Sequence, residues 1–299
     1  MNNTAGRMKN IDSTPLFDTF RNAGVQITPE QQSRISAKIL SVINYEPRIG
    51  FFGKTGAGKS SLCNALFGQD IFEVNDIAAC TRAPQEMLMK ISGKGIKLID
   101  VPGAGENQQR DREYASLYKS LLPELDAILW VLKGDDRAFT SDLTFYQNLV
   151  KPHLEQGKPV FFILNQVDKI EPFRQWNIEK RIPGAEQKAN IHHKIRYVAE
   201  CFNVPQSKVI PVSAAESFNL ASLVDEVVYA LPADKKITFA AAVEKEHVSQ
   251  KSIETASNGF IDTIIDLVTA VVPLPSVIKT PIKAGLKWVA KWKIWPWNW

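Results

Sequence analysis

Residues 53–60 read Gly-Lys-Thr-Gly-Ala-Gly-Lys-Ser, a complete Walker A pattern. Its residue types suit one task, the wrapping of a polyphosphate. Glycine lets the backbone close around an anion, and the backbone N–H groups of Gly53, Lys54, Thr55, Gly56, Ala57, Gly58, Lys59, Ser60 and Ser61 are placed to line such a cradle. The Lys59 ammonium would reach the β- and γ-phosphates, and the Ser60 hydroxyl would ligate Mg²⁺. A chance glycine-rich turn is the bland alternative, and context argues against it: an apolar strand leads in, and residues 61–67 read as a helix.

Two further motifs follow in the order such a site needs. The apolar run Lys97-Leu98-Ile99 delivers Asp100-Val101-Pro102-Gly103. There Asp100 would hold Mg²⁺ through water, and the Gly103 amide would contact the γ-phosphate. Between the first two motifs, Thr81 of Cys80-Thr81-Arg82 would close onto metal and γ-phosphate and reopen after hydrolysis. Lys59, Thr81 and Gly103 would thus carry the chemical step. Base choice falls to Asn165-Gln166-Val167-Asp168. One carboxylate can accept both N1–H and N2–H of guanine, an edge that adenine lacks, so Asp168 would be badly paired against ATP. Asn165 and Gln166 would brace the loop. In Val212-Ser213-Ala214-Ala215, the Ala214 amide would donate to guanine O6, with Ser213 beside it.

These motifs must sit at the ends of strands. Apolar runs without alternation, at 48–53, 96–101, 127–132, 160–164 and 209–212, read as parallel strands buried on both faces. A further strand is expected around 86–91. With helical stretches between them, the expected fold is a Ras-like three-layer α/β/α sandwich with a mostly parallel sheet. Thr28-Pro29-Glu30-Gln31 opens a helix expected to run to about Tyr45, since threonine caps, proline suits the first turn and glutamine sits three residues past the cap. The chain divides into a helical lead (1–46), a nucleotide domain (47–231) and a helical tail (232–299).

Together these residues resemble the Era/TrmE-like P-loop GTPases. The segments at 54–67, Ala79-Cys80-Thr81-Arg82 and Asp135-Asp136-Arg137-Ala138 carry a further likeness to an enterobacterial, prophage-island group of predicted GTPases. The resemblance covers about residues 47–231 and implies GTP and GDP as ligands, Mg²⁺ as cofactor and hydrolysis of GTP. This chain departs from the pattern in places. Ala104 follows Gly103 where Ras-type enzymes place a water-orienting glutamine. Gly56 stands where potassium-stimulated relatives carry asparagine. Gln166 replaces the usual lysine. Slow turnover is the expectation, and a nucleotide-dependent interaction module with negligible hydrolysis is the alternative that Ala104 favours. An ATPase is disfavoured by Asn165, Asp168 and Ser213.

Composition sets outer bounds. The 299 residues are 44% hydrophobic, enough for a sizeable core, and a net charge of +4 does not argue for nucleic-acid binding over the whole surface. Cys63, Cys80 and Cys201 form no metal-ligand spacing and read as reduced thiols of a cytoplasmic protein. Arg82 and Arg137 are candidate charge stabilisers for the transferring phosphoryl group, supplied within the chain or across a dimer, with surface salt bridges as the simpler reading. His192 and His193 read as surface residues.

The tail has no acidic side chain over 267–299 and ends in Trp295, Trp297 and Trp299. Asp262, Asp266 and Thr269 share a stripe of a helix over 260–272. A second helix is expected over 282–294, with Lys283, Lys287 and Lys291 on one face. Residues 260–299 therefore leave three readings open: docking at the inner face of a membrane, packing on the G domain or on a second copy, and contact with RNA or the ribosome. No stretch reaches the roughly 18 to 20 apolar residues that a spanning helix needs.

Overall fold

The computed structural model describes residues 14–68, 119–154, 157–274, 276, 279–280 and 282–286, and the backbone of 97–100. Two compact units divide it. A helical unit is drawn from residues up to Pro47 and from Val224 onward, and an α/β unit lies between Arg48 and Leu223.

The α/β unit is built on five parallel strands: β1 (Arg48–Phe52), β2 (Lys97–Asp100), β3 (Ala127–Lys133), β4 (Val160–Asn165) and β5 (Val209–Pro211). Their order in the sheet is β2-β1-β3-β4-β5, and every pairing is parallel. Between the strands, the described parts of the connections carry α3 (Lys59–Phe67), α4 (Thr140–Phe145) and α5 (Ala185–Phe202). This is the Ras-like α/β/α sandwich, with strand ends within a residue or two of those expected. The strand expected around 86–91 lies outside the described residues.

Continuous apolar runs form these strands because both faces are covered. β3 is buried along its length up to Lys133. Trp130 sits fully buried at its centre, stacked on Phe52 with ring centroids 5.6 Å apart and met edge-on by Tyr146 at 5.3 Å. Phe162 and Phe202 close the cluster at 4.5 Å. Such packing fixes the lateral spacing of β1, β3 and β4, whose C-terminal ends carry the site.

The helical unit contains α1 (Thr14–Asn22), α2 (Pro29–Ile43), most of α6 (Leu220–Ala230), α7 (Ala233–Ala242) and α8 (Gln250–Thr269). Thr28 and Gln31 form the anticipated capping box: the Gln31 amide donates to Thr28 Oγ1 at 3.3 Å, and the Thr28 amide donates to Gln31 Oε1 at 2.9 Å. Gly259 lets α8 lie close on α7, since a Cβ there would come 3.0 Å from the Ala233 carbonyl. The amphipathic segment expected over 260–272 belongs to this longer helix, α8. Its Ile261, Ile264, Ile265 and Val268 are buried while Asp262 and Asp266 are exposed. Residues 282–286 are helical. Ile282 and Leu286 are buried, and Lys283 pairs with Asp262 at 2.6 Å. Residues 287–299, including Lys287, Lys291 and the terminal tryptophans, lie outside the described residues. Among the described residues no helix is long and apolar enough to cross a membrane.

Candidate nucleotide site

The phosphate loop begins where β1 ends. Gly58, the residue before α3, has φ +87°, a left-handed conformation in which any side chain is strained. A Cβ there would also stand 2.4 Å from Asn165 Nδ2. α3 starts with no side-chain cap, so its first-turn amides call for an acceptor from outside the helix, and an anion supplies one. Lys59 lies back over the loop, its ammonium donating to the Gly53 carbonyl at 2.8 Å and toward the Lys54 carbonyl at 3.4 Å. Ser60 follows on the same turn.

The base-reading loop is tied to this one by a single buried carboxamide. β4 delivers Asn165, only 1% exposed. Its Nδ2 donates to the Ala57 carbonyl at 3.0 Å and toward the Gly58 carbonyl at 3.4 Å, while its Oδ1 accepts the Ala214 amide at 3.1 Å. Three loops therefore meet on one side chain. Gln166, at φ +60°, adds a bond from its Nε2 to the Gly56 carbonyl at 3.0 Å, and its Oε1 accepts from Lys169 Nζ at 3.0 Å. The glutamine that replaces lysine thus braces the phosphate loop with Lys169 behind it. Asp168 Oδ1 is buried and accepts no hydrogen bond, an orphaned acceptor of the kind a guanine edge satisfies.

The Ala214 amide, expected to face guanine O6, donates to Asn165 in this structure; contact with O6 requires this bond to be shared or exchanged. The Ser213 hydroxyl accepts the Glu216 amide at 3.2 Å, and its backbone pairs with Phe218. Ser213 shapes the turn from inside.

On the other flank, Lys54 pairs with Asp136 Oδ2 at 2.5 Å, and Lys133 with Asp135 at 3.1 Å. Arg137 is exposed and, among the described residues, makes no salt bridge, contrary to the simpler reading. Behind them lies Asp142, 1% exposed, whose Oδ1 accepts the Trp130 indole N–H at 3.2 Å. Burial pushes its carboxyl pKa up, opposed by that hydrogen bond and by the Lys54 charge. Burial likewise lowers the Lys194 pKa, against the opposing effect of Asp136 and Asp135; Lys194 donates to the Asp136 carbonyl.

Asp100 ends β2, in register with Phe51 of β1, one residue before the last of the strand that feeds the phosphate loop. The Ser60 hydroxyl, in the first turn of α3, is a hard oxygen donor of the kind Mg²⁺ takes. Among the described residues no group of three or more His, Cys, Asp or Glu gathers into a dedicated metal cage. Thr81, Arg82 and Gly103 lie outside the described residues. Cys63 and Cys201 are free thiols, and His192 and His193 are exposed. Sequence reasoning missed Asp142, Lys169 and Gln187. Asp142 reads as an ordinary acidic residue of a helix's first turn, and nothing local distinguishes the other two.

A phosphate loop and an Asn-x-x-Asp loop, joined at the C-terminal edge of a parallel sheet, define a P-loop GTPase. Residues 48–166 match the 50S ribosome-binding GTPase family. The Escherichia coli protein YfjP is 38% identical over 257 residues, covering 84% of this chain and 87% of that protein. YkfA of the same organism is 34% identical over 277 residues, covering 92% and 94%. GTPase Era of Aquifex aeolicus is 29% identical over 188 residues, 62% of this chain and 56% of that protein. Among solved structures, a probable GTP-binding protein engB aligns with a TM-score of 0.43 at 23% identity, covering 61% of this chain and 97% of that one. The chain belongs to the Era-like P-loop GTPases, in the group that contains YfjP and YkfA, and its activity is the hydrolysis of GTP.

Proposed function

We propose that the protein is a slow, Mg²⁺-dependent GTP switch whose phosphate and base subsites act as one unit. The observation that carries this reading is the Asn165 carboxamide, bonded at once to the Ala57 carbonyl and the Ala214 amide. The residue that would select the base loop's geometry thereby also holds the phosphate loop.

In the reaction, water attacks the γ-phosphorus of GTP, the bond to the β–γ bridging oxygen breaks, and GDP and phosphate leave. The amides of Gly58 through Ser61 take charge on the phosphate oxygens. Lys59 exchanges its bonds to the Gly53 and Lys54 carbonyls for the β- and γ-phosphates. Ser60 would hold Mg²⁺ directly, Asp100 through water, and Thr81 in the triphosphate state; the ion supplies charge neutralisation on the β- and γ-oxygens. The Gly103 amide would sense the γ-phosphate. Among the described residues no side chain is a convincing general base, and phosphoryl transfer can proceed by positioning and electrostatics without one. With Ala104 after Gly103, nothing in that motif orients the water, which supports slow turnover until a second copy or another partner completes the site.

The tail's reading is narrowed by its described part. Burial of Ile282 and Leu286 and the Lys283–Asp262 pair support packing within the helical unit for residues 282–286, rather than a membrane face. A cytoplasmic location agrees with the free thiols.

Phosphate release from GTP, followed with and without Mg²⁺ in wild type and Lys59→Ala, tests the mechanism. Slow release that needs Mg²⁺ and drops at least about a hundredfold in Lys59→Ala is expected. Tight GTP binding with no release in wild type would instead favour the interaction module.

A further inference from the structure

Gln187 stands in the first turn of α5 with none of its surface exposed. Both hydrogens of its carboxamide are committed to the base-reading loop: Nε2 donates to the Asp168 carbonyl at 3.0 Å and to the Ile170 carbonyl at 2.9 Å. The first carbonyl lies within the turn Val167–Lys169, which carries the Asp168 side chain, and the second belongs to Ile170, the residue that ends it. The helix start that holds Gln187 is itself fixed, since Gln175 Oε1 accepts the Glu186 amide at 3.2 Å and the Gln187 amide at 3.4 Å. Gln175 Nε2 also donates to Glu186 Oε2 at 3.0 Å. Gly184 leaves room for this arrangement, as a Cβ there would lie 2.7 Å from the Gln175 side chain.

We infer that Gln187 is a specificity-positioning residue: by holding the carbonyls of Asp168 and Ile170, it aims the Asp168 carboxylate at the guanine edge. This rests on the reading that Asp168 takes N1–H and N2–H of the base. A buried donor that clamps the carbonyls of Asp168 and Ile170, two residues apart, removes the backbone freedom by which the carboxylate would swing off line. Asp168 Oδ1, buried without a hydrogen bond, is held waiting for a donor from the ligand. Gln187 touches the loop and not the base, so its effect must appear as a loss of base discrimination.

The test compares GTP with ITP, which lacks only the exocyclic 2-amino group. Dissociation constants for both nucleotides with Mg²⁺ are measured on wild type, Gln187→Met, which keeps volume and loses the donors, and Asp168→Asn. Wild type should prefer GTP. Gln187→Met should narrow the GTP/ITP ratio by about tenfold, the scale of a misaligned hydrogen bond to a charged group. Asp168→Asn should narrow it further. The ratio is taken within one sample, so partial unfolding does not mimic the effect. Gln187→Asn, too short to span both carbonyls, serves should Gln187→Met fail to accumulate. If Gln187→Met weakens GTP and ITP equally, or neither, while Asp168→Asn still collapses the ratio, Gln187 is a structural residue only. If Asp168→Asn leaves the ratio unchanged, the base-reading role of Asp168 falls and this inference with it.

Discussion

At the scale of single residues, the site depends on contacts with no room to spare. Gly58 combines a left-handed backbone with a neighbour, Asn165 Nδ2, 2.4 Å from where a Cβ would stand. A Gly58→Ala variant would add roughly 1 to 2 kcal/mol of backbone strain and push the phosphate loop off the Asn165 carboxamide. GTP affinity should fall by at least about tenfold, readable by titration, in a protein that still folds; unchanged affinity would mean the loop does not need this approach. The residues read from sequence with a role in catalysis or binding were those whose chemistry is local, such as Lys59, Ser60 and Asp168. Gln187 and Asp142 were not legible because their effect depends on what a fold brings to them. Gln187 lies 19 residues from Asp168 and Asp142 lies 12 from Trp130, and no spacing rule links a helix's first turn to such a partner. Ala214 shows the converse. Its motif was legible, yet the acceptor it holds here, Asn165, is supplied by β4.

Among elements, the strands were the most legible because each is a short, largely apolar run, and two of them, β2 and β4, end on candidate site residues, Asp100 and Asn165. The capping box before α2 was legible for a similar reason: its two partners lie three residues apart. Thr28→Ala removes the oxygen that accepts the Gln31 amide, and should destabilise the helical unit by about 1 kcal/mol in denaturant unfolding. A variant as stable as wild type would mean solvent caps this end equally well. α1 was not anticipated, for its nine residues offer no capping signal comparable to that of Thr28. α8 extends ten residues ahead of the stretch whose periodicity was read, from Gln250. Its first half is mixed, and Ser249 caps its start by accepting the Ser252 amide at 3.1 Å. Tertiary contacts add to this: the Ser252 hydroxyl donates to Asp225 at 2.5 Å, and Gly259 permits close approach to α7.

For the whole molecule, a nucleotide-binding unit and a helical unit are built by different physics. The first is a sheet buried on both faces that gathers loops at one edge. The second is a set of amphipathic helices whose tail, at Ile282 and Leu286, turns its apolar side inward. Sequence alone left that tail open between a membrane and packing, because a basic amphipathic helix suits both, and only burial separates them. The central claim is that one site, spanning phosphate loop and base loop, selects and hydrolyses GTP. Its most direct test is phosphate release from GTP and from ATP, measured side by side on wild type and Asp168→Asn with Mg²⁺ present. The account predicts release from GTP and little from ATP in wild type, with that preference eroded in Asp168→Asn. Equal release from the two nucleotides by the wild-type protein would contradict it.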